Sequence, residues 1–384
     1  MNPSDRRRAF KAAVLALALL LAGPATAVAN GRDRGPFARA LDRIVNARAG
    51  PPGLSVLIQR GGLTEFHRRG YANVRTRRRP EPTHHMRIAS VAKAYSGAVT
   101  LSLVSDGRLS VDDTIGMRLP GVLPLADAVT LGQALQHTAG LPDYIRSPEL
   151  IEVVMQDPAR YLSPLELLGY VRDDPLEFPP GTRYSYSDTD NIVAGLMAEA
   201  VAGGSSYEQL LAREIYHPLG LSDTSLPRTV QMPRPYLHGY NVEPGRPPED
   251  VSEVINPSGA WASGGIVSTP VDVARFFRAY VRGRFFDRAT RRRQFRFRTG
   301  SSSPPGPGRN ASGLGLFRYR TRCGTVYGHT GSFPGYRVFA ASSANGRRSV
   351  VFSVNAQIVP EAGSARVSNM IRRAQLLAVC RALR

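Results

Sequence analysis

Lysine is nearly absent from this sequence. Of its 50 lysine and arginine residues, only Lys11 and Lys93 are lysines. Arginine stays protonated in proteins, whereas a lysine in a crowded pocket can lose its proton and take one up again. The retention of one lysine among so many arginines therefore indicates a proton-transfer function for Lys93. Its survival by chance is the alternative explanation.

Long apolar runs are missing everywhere except near the N-terminus. There, Arg6, Arg7, Arg8 and Lys11 precede an apolar run at residues 12–22. This order is typical of an export signal, and the run is shorter than the roughly 20 residues of a membrane-spanning helix. We interpret residues 1–29 as a cleaved signal peptide and expect a secreted protein, exported by the general or the twin-arginine route. A membrane anchor is the alternative.

The chain contains only two cysteines, Cys323 and Cys380. They lack the spacing of zinc ligands, and no His-x-x-x-His pattern occurs among the seven histidines. We therefore expect no metal and no other cofactor. Because disulfides persist in oxidising compartments outside the cytoplasm, we expect the two cysteines to pair with each other.

Acidic residues are in the minority, and the formal net charge is +20. A surface with this charge attracts polyanions. The arginines are scattered along the chain, however, and an exported protein meets anionic wall polymers and phospholipid before it meets nucleic acid. We therefore expect no nucleic-acid partner.

Strand-like patterns occur near both ends of the chain, and helical patterns dominate between them. Strands are predicted at residues 54–59, 63–71, 325–329, 336–342 and 348–355. Helices are predicted at 37–49, 87–106, 131–136, 164–171, 191–201, 207–215, 270–281 and 364–382, and a loop is predicted at 298–312. This order predicts an α+β fold: one antiparallel β-sheet built from both chain ends, helices on its faces, and an inserted, mostly helical subdomain.

One catalytic domain is expected to account for nearly all of the chain. We place it at residues 37–384, after a flexible N-terminus at 30–36. Its α/β part is predicted at about 37–111 and 255–384, and its helical part at about 112–254. A domain of this length can hold two interlocked parts with sizeable cores.

Ser90 stands three positions before Lys93, at the start of a predicted helix. Residues three apart share a helix face, so the lysine side chain can reach the serine hydroxyl. A backbone N–H in the first turn of a helix also faces any negative charge that develops on a substrate oxygen. The pair therefore predicts a serine nucleophile with a lysine as its proton partner.

Two further clusters carry groups suited to the same chemistry. They are Tyr184-Ser185-Tyr186-Ser187-Asp188, after a Pro-Pro-Gly turn, and His329-Thr330-Gly331-Ser332, at the end of a predicted strand. Together with Ser90-Val91-Ala92-Lys93, they resemble the ordered motifs of the penicillin-binding and class C β-lactamase superfamily: Ser-x-x-Lys, Tyr-x-Asn and Lys/His-Thr-Gly. The likeness covers about residues 38–380. The His-Thr-Gly form and the segment 136–141 look most like secreted D-alanyl-D-alanine carboxypeptidases.

This resemblance implies a β-lactamase or DD-peptidase type of fold and assigns roles by position. Ser90 would attack the acyl carbonyl, and Lys93 and Tyr186 would relay its proton. The backbone N–H groups of Ser90 and Ser332 would form the oxyanion hole. His329 and Thr330 would hold the acidic end of the substrate. The residues expected in substrate binding are Asp188, His329, Thr330, Gly331, Ser332 and Trp261.

Two positions depart from the family pattern. Asp188 stands where the family usually has asparagine, and an opposite charge beside Lys93 favours the protonated lysine. Phe317 follows the Gly-Leu-Gly-Leu segment 313–316, where the carboxypeptidases carry an arginine for the terminal carboxylate of the peptide. Arg318 comes one position later. Asp188 affects the proton transfer expected of Lys93, and Phe317 affects the expected specificity for peptides with a terminal carboxylate.

The resemblance implies an exported serine hydrolase that forms an acyl-enzyme, closest to a D-alanyl-D-alanine carboxypeptidase acting on peptidoglycan-type peptides or another small acyl substrate. β-Lactams are expected as covalent ligands, and the protein is expected to be a monomer. An esterase or class C-like β-lactamase on the same fold is one alternative, and a non-catalytic wall-binding protein is another. The missing Gly-x-Ser-x-Gly and Glu-x-x-Leu-Asn patterns argue against an α/β-hydrolase and a class A β-lactamase.

Overall fold

The computed structural model describes residues 35–301, 303–358 and 364–384. The predicted signal peptide at 1–29 and residues 30–34 of the predicted flexible N-terminus lie outside these ranges. The strands, in chain order, are β1 (Gly53–Arg60), β2 (Leu63–Gly70), β3 (Met86–Arg87), β4 (Tyr240–Asn241), β5 (Glu249–Asp250), β6 (Val267–Ser268), β7 (Arg309–Ser312), β8 (Phe317–Thr321), β9 (Gly324–Phe333), β10 (Tyr336–Ser342) and β11 (Arg348–Val354).

Seven of these strands form one antiparallel sheet, in the spatial order β2, β1, β11, β10, β9, β8 and β7. The hairpin of β1 and β2 comes from the start of the chain, and it pairs with β11 from the end. The sheet is therefore complete only when both ends of the sequence have come together.

Both faces of this sheet are buried. In β1, Leu57 packs into one core, whereas Val56 and Ile58 pack into the other. Successive side chains of a strand point to opposite faces, so a strand covered on both sides needs apolar residues at every position. The apolar run from Val56 to Ile58 in β1 follows from this double burial, and the buried Ser55 beside it is hydrogen-bonded to Ser353.

Helices cover the two faces. They are α1 (Pro36–Val45), α2 (Lys93–Ser105), α3 (Ile115–Arg118), α4 (Leu131–Leu135), α5 (Pro148–Gln156), α6 (Pro164–Gly169), α7 (Thr189–Ala200), α8 (Tyr207–Leu211), α9 (His217–Leu219), α10 (Trp261–Gly264), α11 (Pro270–Val281), α12 (Arg288–Gln294) and α13 (Ala365–Leu383). The helices α1 and α13 pack on one face, and α2 and α11 pack on the other. No helix in the described ranges has the length and apolar character needed to cross a membrane.

The helix α2 runs through the core of the molecule. Its residues from Lys93 to Leu103 are all buried. This stretch includes the buried polar residues Ser96, Thr100 and Ser102, and Lys93 is its single charged residue. The fold therefore positions an amine at the buried beginning of a central helix.

The predicted α+β fold, with one sheet built from both chain ends, is confirmed. The structure adds β7 and β8, and β7 lies within the predicted loop 298–312. The structure also contains the helix α5, which was not predicted and whose Ile151 and Met155 are exposed.

Cys323 and Cys380 form a disulfide, as the sequence predicts, with their Cα atoms 5.1 Å apart. Cys323 lies in the turn between β8 and β9, and Cys380 lies on α13. The bond therefore ties the beginning of β9 to the last helix of the chain.

Replacing both cysteines by alanine is expected to lower the free energy of unfolding by about 4 kcal/mol. The bond joins residues 57 positions apart, and opening a loop of this size restores chain entropy to the unfolded state. Denaturant unfolding of the oxidised parent and the double variant measures the difference. Equal unfolding free energies would show that the bond does not stabilise the fold.

Candidate active site

The backbone just before Ser90 is strained. Ala89 has a positive φ of 51°, which residues other than glycine adopt rarely. It begins a short 3₁₀ turn, Ala89–Ala92, which leads into α2. Backbone strain of this kind is found at functional sites. The partly exposed Ser90 thus stands on a kinked turn, and the predicted helix at 87–106 begins later than expected.

Gly331 of β9 lies directly against this turn. A Cβ atom at Gly331 would lie 2.4 Å from the Ile88 carbonyl oxygen, 3.0 Å from the Ala89 Cβ and 3.1 Å from the Ser90 nitrogen. Only glycine lets the strand come this close to the backbone of Ser90. The residue after it, Ser332, lines the cavity beside Ser90.

The part of β9 next to Ser90 has an open edge. The strand β8 pairs with β9 only as far as Gly328, whereas β10 pairs with it as far as Phe333. Residues 329–333 therefore have strand pairing on one side only. An extended substrate chain can add to such an edge through backbone hydrogen bonds.

The side chain of Lys93 is buried and has three hydrogen-bond acceptors. Its Nζ lies 2.5 Å from Asp188 Oδ1, 2.9 Å from the Ser263 carbonyl oxygen and 3.4 Å from Ser90 Oγ. Three acceptors match the three N–H donors of an ammonium group. In this arrangement Lys93 donates to Asp188, to Ser263 and to Ser90.

Tyr186 lies over the same ammonium group, with its ring centre 4.9 Å from Lys93 Nζ. Its hydroxyl is buried and has no hydrogen-bond partner among the described residues. Burial, and then the charge of Asp188, raise the pKa of Tyr186 well above its usual value, although the nearby Ser90 side chain opposes this. Tyr186 is therefore a neutral phenol beside Ser90.

His329 is buried and neutral. Burial, and then the charge of Lys93, lower the pKa of His329 to about 3. Its Nδ1 donates a hydrogen bond to the Thr330 carbonyl oxygen at 2.5 Å, which leaves Nε2 as an acceptor. Among the described residues, Nε2 has no hydrogen-bond partner. His329 is 1% exposed and does not line the cavity beside Ser90. It supplies no positive charge there.

Sequence reasoning missed a buried pair beside Tyr186. His137 Nδ1 and Asp190 Oδ2 lie 2.8 Å apart, and the His137 ring centre is 4.5 Å from that of Tyr186. Burial lowers the pKa of His137 well below its usual value and raises the pKa of Asp190 well above its usual value. Burial thus favours the uncharged form of each group. His137 lies in the segment 136–141 that contributed to the family resemblance, so a signal for it was present.

Asp143 was missed as well. Its Oδ1 accepts a hydrogen bond of 3.0 Å from the backbone N–H of Asp188, which is 45 positions away in the sequence. Burial, and then the charge of Asp188, raise the pKa of Asp143 to about 7. No motif surrounds this residue, so only the folded chain reveals the contact.

Trp261 does not have the predicted place in substrate binding. It is 4% exposed, and its ring centre lies 4.8 Å from that of Tyr207. A Cβ atom at Gly195 of α7 would lie 2.7 Å from the indole, so the ring packs tightly in the helical core. Gly259 and Ala260, which precede the indole in sequence, line the cavity instead.

A cavity of about 350 Å³ opens beside Ser90, and Asp188 also lines it. Part of its wall is aliphatic and comes from α5 and the turn before it: Ile145, Leu150, Ile151, Val154 and Met155. Ile151 is 52% exposed and Met155 is 79% exposed, so this wall is accessible to a ligand. In the described ranges, no group of three or more His, Cys, Asp or Glu side chains is placed to hold a metal ion.

A family model described as Beta-lactamase matches residues 39–373. The chain belongs to the beta-lactamase family. The predicted membership in the superfamily of serine penicillin-binding proteins and β-lactamases is thereby confirmed. Penicillin-binding protein 4* of Bacillus subtilis (strain 168) is 26% identical over 323 residues, which cover 78% of this chain and 67% of that protein.

Two solved structures of amidases share the beta-lactamase family fold of this chain. One is a D-stereospecific amidohydrolase from Streptomyces sp., with a TM-score of 0.77 and 26% identity, covering 88% of this chain and 97% of that one. The other is the D-amino acid amidase from Ochrobactrum anthropi SV3, with a TM-score of 0.77 and 25% identity, covering 89% of this chain and 98% of that one. The chain is therefore a serine hydrolase of a family whose members include amidases and penicillin-binding proteins.

Replacing Gly331 by alanine is expected to lower the acylation rate of Ser90 by roughly 100-fold, because a displacement of about 1 Å at a reacting group has this effect. The new methyl group would push β9 away from the Ser90 turn. Acylation by a fluorescent penicillin measures the rate. Gly62→Ala, where an added Cβ meets no atom within 4 Å, is the matched control and should react like the parent. An unchanged rate in Gly331→Ala would refute the importance of this contact.

Proposed function

We propose that this serine hydrolase cleaves amides or esters whose acyl part is a D-amino acid with a large apolar side chain, through an acyl-enzyme on Ser90. The observation that carries the proposal is the exposed aliphatic wall beside Ser90, to which Ile151 and Met155 contribute. Burial of an apolar side chain against such a wall contributes binding energy in proportion to the area removed from water. The similarity to two amidases that act on D-configured substrates supports the same substrate class.

The surroundings of His329 favour a leaving group without a carboxylate. Phe317 stands where the resemblance to carboxypeptidases implies an arginine, and its ring centre lies 5.0 Å from that of His329. Arg318 does not replace that arginine, because its guanidinium lies over the Phe297 ring at 4.7 Å and it does not line the cavity. His329 itself is neutral. Arg160 is the one arginine among the described residues that line the cavity, and it is ion-paired with Glu166 at 2.6 Å. An amide or an ester therefore suits the site better than a terminal carboxylate.

The proposed reaction follows from the contacts of Ser90. Its Oγ attacks the acyl carbonyl and loses its proton to Lys93, while the N–H groups of Ser90 and Ser332 stabilise the oxyanion. Tyr186 then passes a proton from Lys93 to the leaving nitrogen or oxygen as its bond to the acyl carbon breaks. Water then attacks the acyl-enzyme and releases the acid.

A D-alanyl-D-alanine carboxypeptidase is the second candidate. The His329-Thr330-Gly331 segment at the open edge of β9 favours it, because a peptide can pair with this edge. The similarity to the Bacillus subtilis penicillin-binding protein also favours it. An esterase or a β-lactamase on the same fold would use the same nucleophile.

The substrate class can be tested with purified protein. D-Phenylalanine amide is expected to be hydrolysed with a kcat/KM roughly 10- to 100-fold above that of D-alanine amide, because the larger side chain fills the apolar pocket. L-Phenylalanine amide and a peptide ending in D-alanyl-D-alanine should be poorer substrates. A faster reaction with the D-alanyl-D-alanine peptide would establish the carboxypeptidase instead.

Two matched methionine variants locate the pocket. Met155→Asn is expected to lower kcat/KM for D-phenylalanine amide and to leave that for D-alanine amide unchanged. Met117→Asn should change neither value, because Met117 is 64% exposed but does not line the cavity. Ser90→Ala should abolish all turnover. Equal effects of the two methionine variants would exclude the wall of α5 as the side-chain pocket.

We also propose that the protein acts outside the cytoplasm. The basic and apolar pattern at residues 1–29 and the Cys323–Cys380 disulfide support this location. N-terminal sequencing of the protein recovered from culture medium is expected to begin near Asn30. A cell-associated protein that retains Met1 would contradict the proposal.

A further inference from the structure

Asp188 is the carboxylate that neutralises the buried Lys93. Among the described residues it is the one acidic side chain within ion-pair distance of Nζ, at 2.5 Å. The other two acceptors of the ammonium are the Ser263 carbonyl and the Ser90 hydroxyl. A peptide carbonyl does not take up a proton, and Ser90 is the group that must lose one. Of the three described groups that accept a hydrogen bond from Lys93, Asp188 is therefore the one that can receive its proton at the start of the reaction.

We propose that Asp188 accepts a proton from Lys93 during acylation of Ser90, and that Asp143 is a positioning residue that holds Asp188 in place and strengthens it as an acceptor by its charge. One N–H bond of the ammonium breaks and an O–H bond forms on Asp188. The resulting neutral amine then takes the Ser90 proton as Oγ bonds to the acyl carbon. When the leaving group departs, Tyr186 donates its hydroxyl proton to it and takes a replacement from Lys93. Lys93 then regains a proton from Asp188, so the site returns to its starting state.

The placement of Asp188 depends on the turn that carries Asp143. The carboxylate of Asp143 accepts a hydrogen bond from the Asp188 backbone N–H at 3.0 Å. The Thr189 hydroxyl bonds to the Pro142 carbonyl at 2.6 Å and accepts from the Tyr144 N–H at 3.1 Å. These contacts fix the backbone at both residues, so Asp143 sets the position from which Asp188 meets Lys93.

The charge of Asp143 acts on Asp188 at close range. A negative charge beside a carboxylate raises its affinity for a proton. The titratable groups that face Asp143 are Lys93 from α2, Tyr186, Asp188 and Asp190 from the segment before α7 and its first turn, and Tyr144 and Arg146 from its own turn. Because the pKa of Asp143 is raised to about 7, its negative charge is present above that pH and lost below it.

The inference rests on the proposed acylation of Ser90 and not on the identity of the natural acyl donor. A fluorescent penicillin is therefore a sufficient probe, used from about pH 5 to about pH 9. The acylation rate of the parent is expected to rise roughly tenfold as the pH passes through about 7. Asp143→Asn should lose this rise and keep the low rate at every pH, because asparagine imitates the protonated carboxyl and still accepts the Asp188 N–H.

A double-mutant cycle tests whether Asp143 affects the acylation rate through Asp188 or independently of it. Asp188→Asn removes the proton acceptor, so Asp143→Asn should change nothing further in that background. Asp173→Asn, at an exposed carboxylate of the helical part, is the matched control and should keep the parent profile. Equal effects of Asp143→Asn with and without Asp188 would refute the inference.

Thermal unfolding supplies a readout that does not depend on acylation. The folded state holds the Asp143 proton more tightly than the unfolded state, so its ionisation destabilises the fold as the pH rises from about 4 to about 7. Asp143→Asn should therefore raise Tm at pH 8 and leave it nearly unchanged at pH 4. A parent that is acylated but shows no rise near pH 7 overturns this inference alone. A parent that no penicillin acylates overturns the proposed function and this inference together.

Discussion

The burial of one ammonium group constrains the rest of the site. A charge taken out of water is tolerated only when it is paired and hydrogen-bonded. The acceptors of Lys93 come from separate parts of the chain: Ser90 from the turn before α2, Asp188 from the segment before α7, and Ser263 from α10. The helical insertion and the region after it must therefore dock against α2 before the lysine is satisfied, so folding and assembly of the site are one event.

The tight packing of Trp261 holds two of these parts of the chain against each other. The indole begins α10, which carries Ser263, and it presses against Gly195 of α7, which follows Asp188. A rigid contact between these two helices fixes the distance between the two acceptors that Lys93 needs. Trp261, which was expected from the sequence to bind substrate, thus influences the site through its packing.

Much of the fold and part of the site can be predicted from the sequence. The apolar runs at both ends of the chain predict the shared sheet, and the spacing of Ser90 and Lys93 predicts their contact, because both patterns are local and regular. Asp143 and Asp190 could not be found this way, since their contacts with Asp188 and His137 join distant positions without a motif. The helix α5 was also not predicted. Its Leu150, Val153 and Val154 pack with the core, whereas its Ile151 and Met155 are exposed and line the cavity.

The presence of a lysine at position 93 in an arginine-rich chain agrees with the proton transfer proposed for the site. An arginine at position 93 would also present several donors to Asp188, Ser263 and Ser90, but it would hold its protons at any pH where the protein is folded. The ammonium of a lysine can form an ion pair in the resting site. In the proposed reaction it becomes a neutral amine, which requires a carboxylate within reach to take the proton. The proposed mechanism therefore requires a lysine here in a chain that uses arginine almost everywhere else, and it assigns to Asp188 the role of making a charged lysine compatible with Ser90 as the nucleophile.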